Sequence, residues 1–374
     1  MKVHIDGKPL FNQKTGIGYY CYNLIDALNS LDSQSKYIAT YNTSRIRKNK
    51  LVSGPEKYVW YPYTKLRRHV GTSFPYNLAL ENFLGDFDIY HGTAFSVLPT
   101  RKAKKVLTVY DAAYKRFPET IEKNNFAFLT EWLPYFIEKS DHILAISESS
   151  KEELMHYFNV KPEKISVTYL AADQAYHPIP LEDSYRNMVC EKYNLPSQFI
   201  LYTGTIEPRK NLINLITAYH KTLQQTQCDH SLVLAGGKGW LYDEVFAAVN
   251  KLNLQDKVRF LGYVDFHDLP YLYNLADVFA YVSKYEGFGL PPLEAMQCGT
   301  PVLTSNTSSL PEVVGDAAIM VEPANVDEIA KHLEALISSQ ALRDEYSQRG
   351  IQRAAQFSWE KTAASTIEAY KRLV

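Results

Sequence analysis

Residues 278–304 read VFAYVSKYEGFGLPPLEAMQCGTPVLT, and this stretch predicts a complete strand–helix–strand unit. Residues 278–282 and 301–304 are apolar runs of strand length, and residues 293–298 between them predict a short helix. Two prolines stand where the first turn of a helix needs no amide hydrogens, and Gly299 can end the helix in a left-handed conformation. A strand, a helix and a second strand in this order indicate a parallel sheet covered by helices.

The same alternation of apolar runs and amphipathic stretches extends over the whole chain. The other predicted strands are residues 2–6, 37–41, 58–61, 88–91, 105–109, 142–146 and 165–169 in the first half, and residues 199–203, 231–235, 258–261 and 318–321 in the second. Helical patterns lie between several of them, for example at residues 19–28 and 126–139, and a last one covers residues 359–373. Two such series, separated by the polar, proline-broken segment 171–196, predict an α/β protein of two doubly wound domains.

Length and composition are those of an ordinary globular protein. At roughly 100–200 residues per domain, the 374 residues suggest two or three domains. No run of about 18 uncharged apolar residues predicts a membrane-spanning helix, and the N-terminal MKVHIDGKPLF lacks the apolar region of a secretory signal. The four cysteines are scattered and form no CxxC pair, so we expect free thiols, no zinc site and a cytoplasmic location.

The net charge of −1 hides an asymmetry between the two parts of the chain. Residues 1–105 carry 16 Lys and Arg against 7 Asp and Glu, whereas the remainder carries 24 against 34. The basic excess lies at Arg45, Arg47, Lys48, Lys50, Lys65, Arg67, Arg68, Arg101, Lys102, Lys104 and Lys105. Such a surface would be attracted to an anionic membrane or a polyphosphate, although solvated surface lysines explain it equally well. No nucleic-acid-binding motif accompanies the charge, so we expect no nucleic-acid partner.

Doubly wound sheets bind ligands beyond the carboxyl ends of their strands, so the loops after the strands are the candidate sites. The loop after residues 199–203 reads GTIEPRKN. Gly204 allows a close approach of the backbone, and Arg209 and Lys210 place two cations beside the start of a helix at about Asn211. Because two cations at a positive helix end need a counter-anion, this loop predicts a bound phosphate or diphosphate. The alternative is a surface turn with two solvated cations.

The loop after residues 278–282 carries two carboxylates eight residues apart, Glu286 and Glu294. Between them, Gly287, Phe288 and Gly289 predict a turn whose amide hydrogens, together with the N-terminus of the following helix, favour an anion. Carboxylates at these positions can accept hydrogen bonds from vicinal hydroxyls of a ribose or a hexose. Compensation of the helix dipole by Glu294 and an ordinary loop acid at Glu286 are the alternatives.

Three further positions in the first half are weaker candidates. In KTGIGYY, residues 14–20, Gly16 and Gly18 suit a backbone loop over a diphosphate, but the full GxGxxG of nicotinamide-binding domains is missing. Tyr110-Asp111 and His91 stand at the carboxyl ends of predicted strands, and a histidine at the edge of the core explains His91 as well. The DxD pattern at residues 86–88 precedes a strand, so we expect a turn there and no bound metal.

GTIEPRKN at residues 204–211 and EGFGLPPLEAMQCGTPV at residues 286–302 together resemble the signature of the retaining glycosyltransferases of family 4. The glycine-containing loop near the N-terminus and YLAADQAYHP at residues 169–178 are similar to the family's pattern too. The resemblance covers most of the chain and is most specific from residue 204 to residue 312. Among the members, it points to bacterial mannosyltransferases of polysaccharide and O-antigen (lipopolysaccharide) assembly.

The resemblance implies the GT-B fold, in which two Rossmann-like domains face a central cleft. The N-terminal, acceptor-binding domain would comprise residues 1–172, and the C-terminal, nucleotide-sugar-binding domain residues 173–358. In this fold the last helix crosses back to the N-terminal domain. That crossing would explain the helical pattern at residues 359–374, after which no strand follows.

The resemblance also implies roles for individual residues. Arg209 and Lys210 would hold the donor diphosphate, Glu286 the hydroxyls of the donor sugar, and Glu294 the ribose. Further donor-site positions would be Gly16, Gly204, Tyr263, Val264, Gly287, Phe288, Gly289 and Leu290, with Tyr263 and Val264 bordering the base. Where members often carry His-Asp, this chain has Tyr110-Asp111, and because tyrosine has a much higher pKa than histidine we assign the catalytic role to Asp111. No metal or other cofactor is expected.

Together these expectations describe a hexosyltransferase, with mannose favoured and GDP-mannose as the candidate donor. It would transfer a hexose from a nucleoside diphosphate sugar to a glycan or to a polyprenyl-diphosphate-linked acceptor, with retention of configuration. The expected location is the cytoplasm, with peripheral contact at the inner face of the membrane. Two alternatives remain: a nucleotide-sugar epimerase of the same fold, which needs no acceptor, and a module that binds a nucleotide-sugar without turnover.

Overall fold

The computed structural model describes residues 1–11, 16–42, 51–59, 79–180, 182, 184–226 and 228–374. The chain divides into two compact units, one formed by Met1–Leu170 with Ser358–Val374 and the other by Ala171–Phe357. The boundaries expected from the sequence lie within two residues of these. Each unit is built on a parallel sheet with helices packed against it, so the α/β architecture is confirmed.

The sheet of the first unit has the strand order β3-β2-β1-β4-β5-β6-β7, with every neighbouring pair parallel. Its strands are β1 (Lys2–Asp6), β2 (Lys36–Asn42), β3 (Glu56–Val59), β4 (Ile89–Gly92), β5 (Lys104–Val109), β6 (His142–Ala145) and β7 (Ile165–Val167). Its helices up to the crossing are α1 (Gly16–Leu31), α2 (Glu81–Leu84), α3 (Ala113–Arg116), α4 (Lys123–Lys139) and α5 (Glu148–Phe158). Strands β4 and β6 are buried along their whole length, as expected of parallel strands covered on both faces.

The sheet of the second unit has the strand order β10-β9-β8-β11-β12-β13, again parallel throughout. Its strands are β8 (Phe199–Thr203), β9 (Ser231–Ala235), β10 (Val258–Gly262), β11 (Val278–Tyr281), β12 (Val302–Ser305) and β13 (Ile319–Val321). Its helices are α6 (Tyr185–Tyr193), α7 (Leu212–Gln225), α8 (Asp243–Lys251), α9 (Leu269–Leu275), α10 (Leu290–Gln297), α11 (Leu310–Val314), α12 (Val326–Ser338) and α13 (Gln340–Ala354). The strand order reverses between β8 and β11, and a sheet of this kind binds ligands at that point.

The last helix, α14 (Trp359–Lys371), belongs to the first unit, which confirms the predicted crossing. Ser358 caps its start, since the hydroxyl accepts a hydrogen bond from the Lys361 amide at 3.3 Å. The Thr362 hydroxyl donates to the Tyr169 carbonyl at 2.6 Å. Further along, the Tyr370 hydroxyl lies 2.7 Å from Nδ1 of the fully buried His91. The helix is therefore tied to the sheet of the first unit by buried polar contacts.

All the predicted strands are present, with ends that differ by no more than two residues where the structure describes them; residues 60 and 61 lie outside the described part. Helix α10 begins at Leu290, three residues before the predicted start, because the prolines at positions 291 and 292 fit a first turn. Gly299 follows the helix with φ +80°, as expected of the residue after a C-cap. The four cysteines are free thiols. Among the described residues, no helix combines the length and apolar character needed to cross a bilayer.

Candidate active site

The loop after β8 is shaped by two facing glycines. Gly204 has φ +140°, and a Cβ on Gly236, the residue that follows β9, would lie 1.9 Å from the Gly204 carbonyl oxygen. The Gly204 backbone therefore approaches the neighbouring loop of this unit closely, and the missing side chain of Gly236 permits this approach. The chain then makes a 3₁₀ turn, Pro208–Lys210, and passes through Asn211 at φ +59° into α7. The side-chain Nδ2 of Asn211 donates to the carbonyls of Val282 and Pro323, at 3.0 and 2.7 Å, and thereby ties this turn to the residues that follow β11 and β13.

Arg209 and Lys210 meet Glu286 at the point where the strand order of the sheet reverses. The Lys210 ammonium lies 2.7 Å from Oε1 of Glu286, and the Arg209 guanidinium lies 3.0 Å from Oε2 of the same carboxylate. Arg209 also pairs with Glu207 at 2.6 Å. Lys210, Glu207 and Glu286 are each less than a tenth exposed. Four charges of balanced sign are thus packed together at the carboxyl edge of the sheet.

This cluster changes one argument made from the sequence. Two adjacent cations at a helix start were expected to need an external anion, but Glu207 and Glu286 supply the counter-charge from within the chain. Burial by itself would raise the pKa of Glu286, but Lys210 and Arg209 outweigh burial and lower it to about 2. Glu286 is therefore fully ionised at neutral pH, and the balance of charge alone does not require a bound phosphate.

The segment between β11 and α10 is held by side chains that the sequence did not single out. The Glu286 backbone amide donates to the Ser308 hydroxyl at 2.9 Å. The Ser309 hydroxyl lies within hydrogen-bonding distance of the Glu286 and Phe288 carbonyls, at 2.9 and 2.6 Å. The Phe288 ring is buried against Phe357, with ring centroids 6.0 Å apart. Phe288 can therefore serve a ligand only through its backbone. Ser308 and Ser309 follow β12, and no spacing in the sequence links them to this loop.

Gly289 is required by its position before α10. Its φ is +120°, and a Cβ there would lie 2.8 Å from Cδ2 of Leu310. An L-residue would be strained by its backbone and would also clash. The glycine lets the chain turn into α10, whose first turn starts at the half-buried Leu290. Pro291 and Pro292 have no amide hydrogen and the Leu293 amide donates to the Gly289 carbonyl at 3.3 Å, so Leu290 is the residue of this turn that can offer an amide to a ligand.

Glu294 lies one turn into α10 and is joined to the core by a tyrosine. The Tyr273 hydroxyl donates to Oε2 of Glu294 at 2.8 Å and lies 2.6 Å from the Thr203 hydroxyl at the end of β8. Burial, followed by the nearby Asp173 carboxylate, raises the pKa of Glu294 to about 7, although the hydrogen bond from Tyr273 opposes the increase. The two acids of the Glu-x7-Glu pattern therefore differ: Glu286 is ion-paired and ionised, whereas Glu294 titrates near neutrality.

The turn after β10 presents one of its two predicted residues to solvent. Tyr263 is 56% exposed, whereas Val264 is 5% exposed and belongs to the core. Gly262, at φ +70°, allows the chain to turn at this point. A contact of this turn with a planar ligand would involve the Tyr263 side chain and only the backbone of Val264.

The glycines near the N-terminus are placed differently from the prediction. Gly16 is the first residue of α1 and Gly18 lies within that helix, so they do not form a loop; Lys14 and Thr15 lie outside the described residues. Gly16 is exposed, and a Cβ there would meet no atom within 4 Å. The first unit therefore has the N-terminus of a 16-residue helix, α1, at this position, and not a loop.

The candidate residues at the carboxyl ends of β4 and β5 differ in their burial: two of them belong to the core and one remains a candidate for the site. The Tyr110 hydroxyl donates to the Thr93 carbonyl at 2.6 Å, and Nε2 of His91 lies 2.7 Å from the Thr108 hydroxyl. Both side chains are buried, and burial lowers the pKa of His91 to about 3, so the ring is neutral. Asp111 is half-buried, and its Oδ1 accepts from the amide of Ala113, the first residue of α3, at 3.0 Å. Asp111 therefore remains the candidate of this group.

The possible metal pattern at residues 86–88 is a turn. The Asp88 carboxylate accepts from the Lys2 amide at 2.7 Å, and the Asp86 carbonyl accepts from the Lys2 ammonium at 2.8 Å. Within the described ranges no group of three or more metal-ligating side chains occurs. Of the site residues named from the sequence, the structure brings together Arg209, Lys210 and Glu286. Gly16 and Asp111 belong to the other compact unit.

Comparison with known proteins identifies the family. The model of "Glycosyltransferase Family 4" matches residues 14–175, and that of "Glycosyl transferases group 1" matches residues 191–353. The chain is 40% identical over 286 residues to O-antigen chain mannosyltransferase B of Escherichia coli, which covers 76% of this chain and 74% of that protein. The chain belongs to the group 1, family 4 glycosyltransferases. This glycosyltransferase is thus a sugar-transferring enzyme, as the sequence motifs predicted.

Two further comparisons agree with this family. The serotype-specific mannosyltransferase WbdA of Escherichia coli is 34% identical over 239 residues, which are 63% of this chain but only 29% of WbdA. The crystal structure of HepE from Anabaena in complex with UDP and glucose superimposes with a TM-score of 0.73 at 19% identity, covering 100% of this chain and 99% of HepE. The latter likeness shows the shared GT-B fold.

Proposed function

We propose that this glycosyltransferase transfers mannose from GDP-mannose to a glycan or a polyprenyl-diphosphate-linked acceptor, with retention of anomeric configuration. The relative named as an O-antigen chain mannosyltransferase supports the sugar, since its similarity extends over three quarters of both chains. The cluster of Arg209, Lys210 and Glu286 at the reversal of strand order supports the site, because it places the buried Lys210 and the partly buried Arg209 where such a sheet binds ligands.

In this proposal Arg209 and Lys210 bind the donor diphosphate. As the bond between the sugar and the diphosphate breaks, negative charge develops on the leaving oxygen, and fixed cations stabilise that charge without reorganising. Glu286 would orient the side chains of Arg209 and Lys210 before the donor binds and then contact hydroxyls of the donor sugar. Amide hydrogens of residues 287–290 would complete the phosphate site, and this part of the proposal is in keeping with the buried Phe288 side chain.

Glu294 and Tyr263 would contact the nucleoside. The Glu294 carboxylate can accept hydrogen bonds from the vicinal hydroxyls of a ribose, and the exposed Tyr263 ring and the Val264 backbone would border the base. The first unit would contribute the N-terminus of α1 at Gly16 and the Asp111 carboxylate. Asp111 would act on the acceptor side of the reaction.

We further propose a front-face displacement, and we assign no carboxylate as a nucleophile. The bond between the anomeric carbon and the diphosphate breaks, and the acceptor oxygen forms its bond to the same face of that carbon. The acceptor proton passes to an oxygen of the departing diphosphate. The products are the retained glycoside and the nucleoside diphosphate. No step requires a metal, so we expect turnover to survive the addition of EDTA.

A donor panel followed by a turnover assay tests the proposal. We expect GDP-mannose to raise the melting temperature more than UDP-glucose or UDP-N-acetylglucosamine does, because a ligand of the native state stabilises it by mass action. With octyl α-mannoside as the acceptor probe, GDP release should accompany formation of an α-linked disaccharide, and Lys210→Ala should nearly abolish both. Binding without GDP release under a broad acceptor screen would instead indicate a binding module, and isomerised sugar without transfer would indicate an epimerase.

Peripheral membrane contact is part of the proposal. Among the basic residues of the first unit that the structure describes, Arg101 and Lys102 are exposed, whereas Lys104 and Lys105 lie 3.9 and 3.6 Å from Asp141. The other basic positions named from the sequence lie outside the described residues. An electrostatic contact predicts binding to vesicles containing phosphatidylglycerol that weakens as salt rises, and binding that does not change with salt would contradict it.

A further inference from the structure

The hydroxyl of Tyr281 closes a hydrogen-bonded triangle with the two charged groups at the centre of the site. Tyr281 ends β11 and is 1% exposed. Its hydroxyl lies 2.7 Å from the Lys210 ammonium and 3.0 Å from Oε1 of Glu286, and these two charged groups lie 2.7 Å from each other. Tyr281 was not among the site residues predicted from the sequence.

The direction of these hydrogen bonds follows from the chemistry of the partners. An ammonium group can only donate and an ionised carboxylate can only accept. The Tyr281 oxygen therefore accepts from Lys210, and its proton is donated to Glu286. Lys210 uses two of its three N–H donors on these described residues, so one donor is left for a further acceptor such as a phosphate oxygen.

The ring that carries this hydroxyl has little freedom. Tyr202 of β8 stacks on it with centroids 5.7 Å apart and planes 14° apart, and Phe279 of β11 lies 5.8 Å away at 16°. The register of β8 beside β11 is fixed by the pairing of Ile200 with Val278. The position of the hydroxyl is thus set by the backbone of two central strands, whereas long Lys and Glu side chains have rotamer freedom of their own.

We propose that Tyr281 is a positioning residue of the donor site, whose hydroxyl holds Lys210 and Glu286 in the arrangement that meets the diphosphate and the sugar of the donor. The inference rests on the proposed function. Without the hydroxyl, the ammonium loses one acceptor and the carboxylate one donor, and the ion pair that these two groups form directly at 2.7 Å is no longer held in one orientation. The third N–H of Lys210 is then no longer oriented toward the donor diphosphate, although the charges of Lys210 and Glu286 are unchanged.

Tyr281→Phe tests this because it removes the hydroxyl and keeps the stacked ring. We expect kcat to fall about tenfold or more while KM for GDP-mannose changes by less than about threefold, because aiming the cation matters most as charge develops on the leaving group. The matched control is Tyr219→Phe. Tyr219 is equally buried, and its hydroxyl donates to the backbone carbonyls of His230 and Lys257 at 2.7 and 3.3 Å.

Tyr219→Phe should lower the melting temperature about as much as Tyr281→Phe while kcat stays within about twofold of the wild type. A second measurement combines Tyr281→Phe with Glu286→Gln. In this background Tyr281→Phe should lower kcat clearly less than it does in the wild type, because the effects of substituting two groups that act together are not additive. Wild-type kcat in Tyr281→Phe, or equal losses in both tyrosine variants, would overturn the positioning role. If the wild-type enzyme turns over none of the donors, the proposed function fails and this inference with it.

Discussion

Donor affinity should depend on pH through Glu294. Burial raises the pKa of this carboxyl to about 7, so its ionised fraction falls about tenfold for each pH unit below that value. Only the ionised form presents two acceptor oxygens to a ribose. Between about pH 8 and pH 5.5 the affinity for GDP-mannose should therefore weaken by several-fold, up to a limit of roughly 30-fold that is reached when the protonated form does not bind. Isothermal titration calorimetry at constant ionic strength measures this directly.

Glu294→Gln is the matched variant, because the amide keeps the size and cannot titrate. We expect it to bind GDP-mannose about tenfold or more weakly than the wild type at pH 8, the usual effect of losing a hydrogen bond to a charged group. Its affinity should change little with pH. The reasoning is refuted if wild-type affinity is constant across this range, or if Glu294→Gln retains the wild-type slope.

The same carboxyl affects stability with a defined sign. Its pKa is raised on folding, so its contribution to stability is fully present below about pH 4.5 and is lost as the pH rises through about 7. A shift from 4.5 to about 7 corresponds to at most about 3 kcal/mol. Relative to the wild type, Glu294→Gln should therefore gain stability in urea unfolding between pH 5 and pH 8. An unchanged difference over this interval would contradict the raised pKa.

Two further substitutions test contacts on which the site and the fold depend. Gly289→Ala should destabilise the protein by about 1–3 kcal/mol, because of its φ of +120° and the clash with Leu310; urea unfolding measures the loss, and a neutral result would show that the turn before α10 can relax. Tyr370→Phe should cost about 1–3 kcal/mol, because it leaves Nδ1 of the buried His91 without its partner; thermal unfolding that matches the wild type would show that the histidine is satisfied in another way.

The strands could be predicted because a buried parallel strand is recognisable from its local sequence, as a short apolar run bounded by glycine, proline and polar residues. The predicted loop at Gly16 and Gly18 failed for a related reason. Glycine is a poor helix former, so two glycines suggested a loop, but the first turn of α1 tolerates them because burial of the helix outweighs this preference. The start of α10 was placed at residue 293, after the two prolines, although proline suits the first turn of a helix and both prolines belong to α10.

The site itself could be predicted only as a set of separate loops. Glu207 and Glu286 come together around Arg209 because β8 lies beside β11, and a strand order that skips two strands is not encoded in local patterns. For the same reason the hydroxyls of Tyr281, Ser308 and Ser309 were missed. Tyr281 contacts Lys210 of the loop after β8, and the two serines, which follow β12, contact Glu286 of the loop after β11. The sequence showed two adjacent cations at Arg209 and Lys210, whereas it did not show that Glu207 and Glu286 pair with them.

In the proposed reaction, Glu207 and Glu286 would compete with the donor diphosphate for Arg209 and Lys210. In the structure the two cations already have two carboxylates, so a donor diphosphate must share them with Glu207 and Glu286. This competition weakens binding of the ground-state donor, in which the charge of the bridging oxygen is small. It weakens the transition state less, because charge on the departing oxygen grows there and draws the cations away from the carboxylates. A site arranged in this way places its electrostatic effect on departure of the leaving group, which is where an interaction raises kcat rather than only donor affinity.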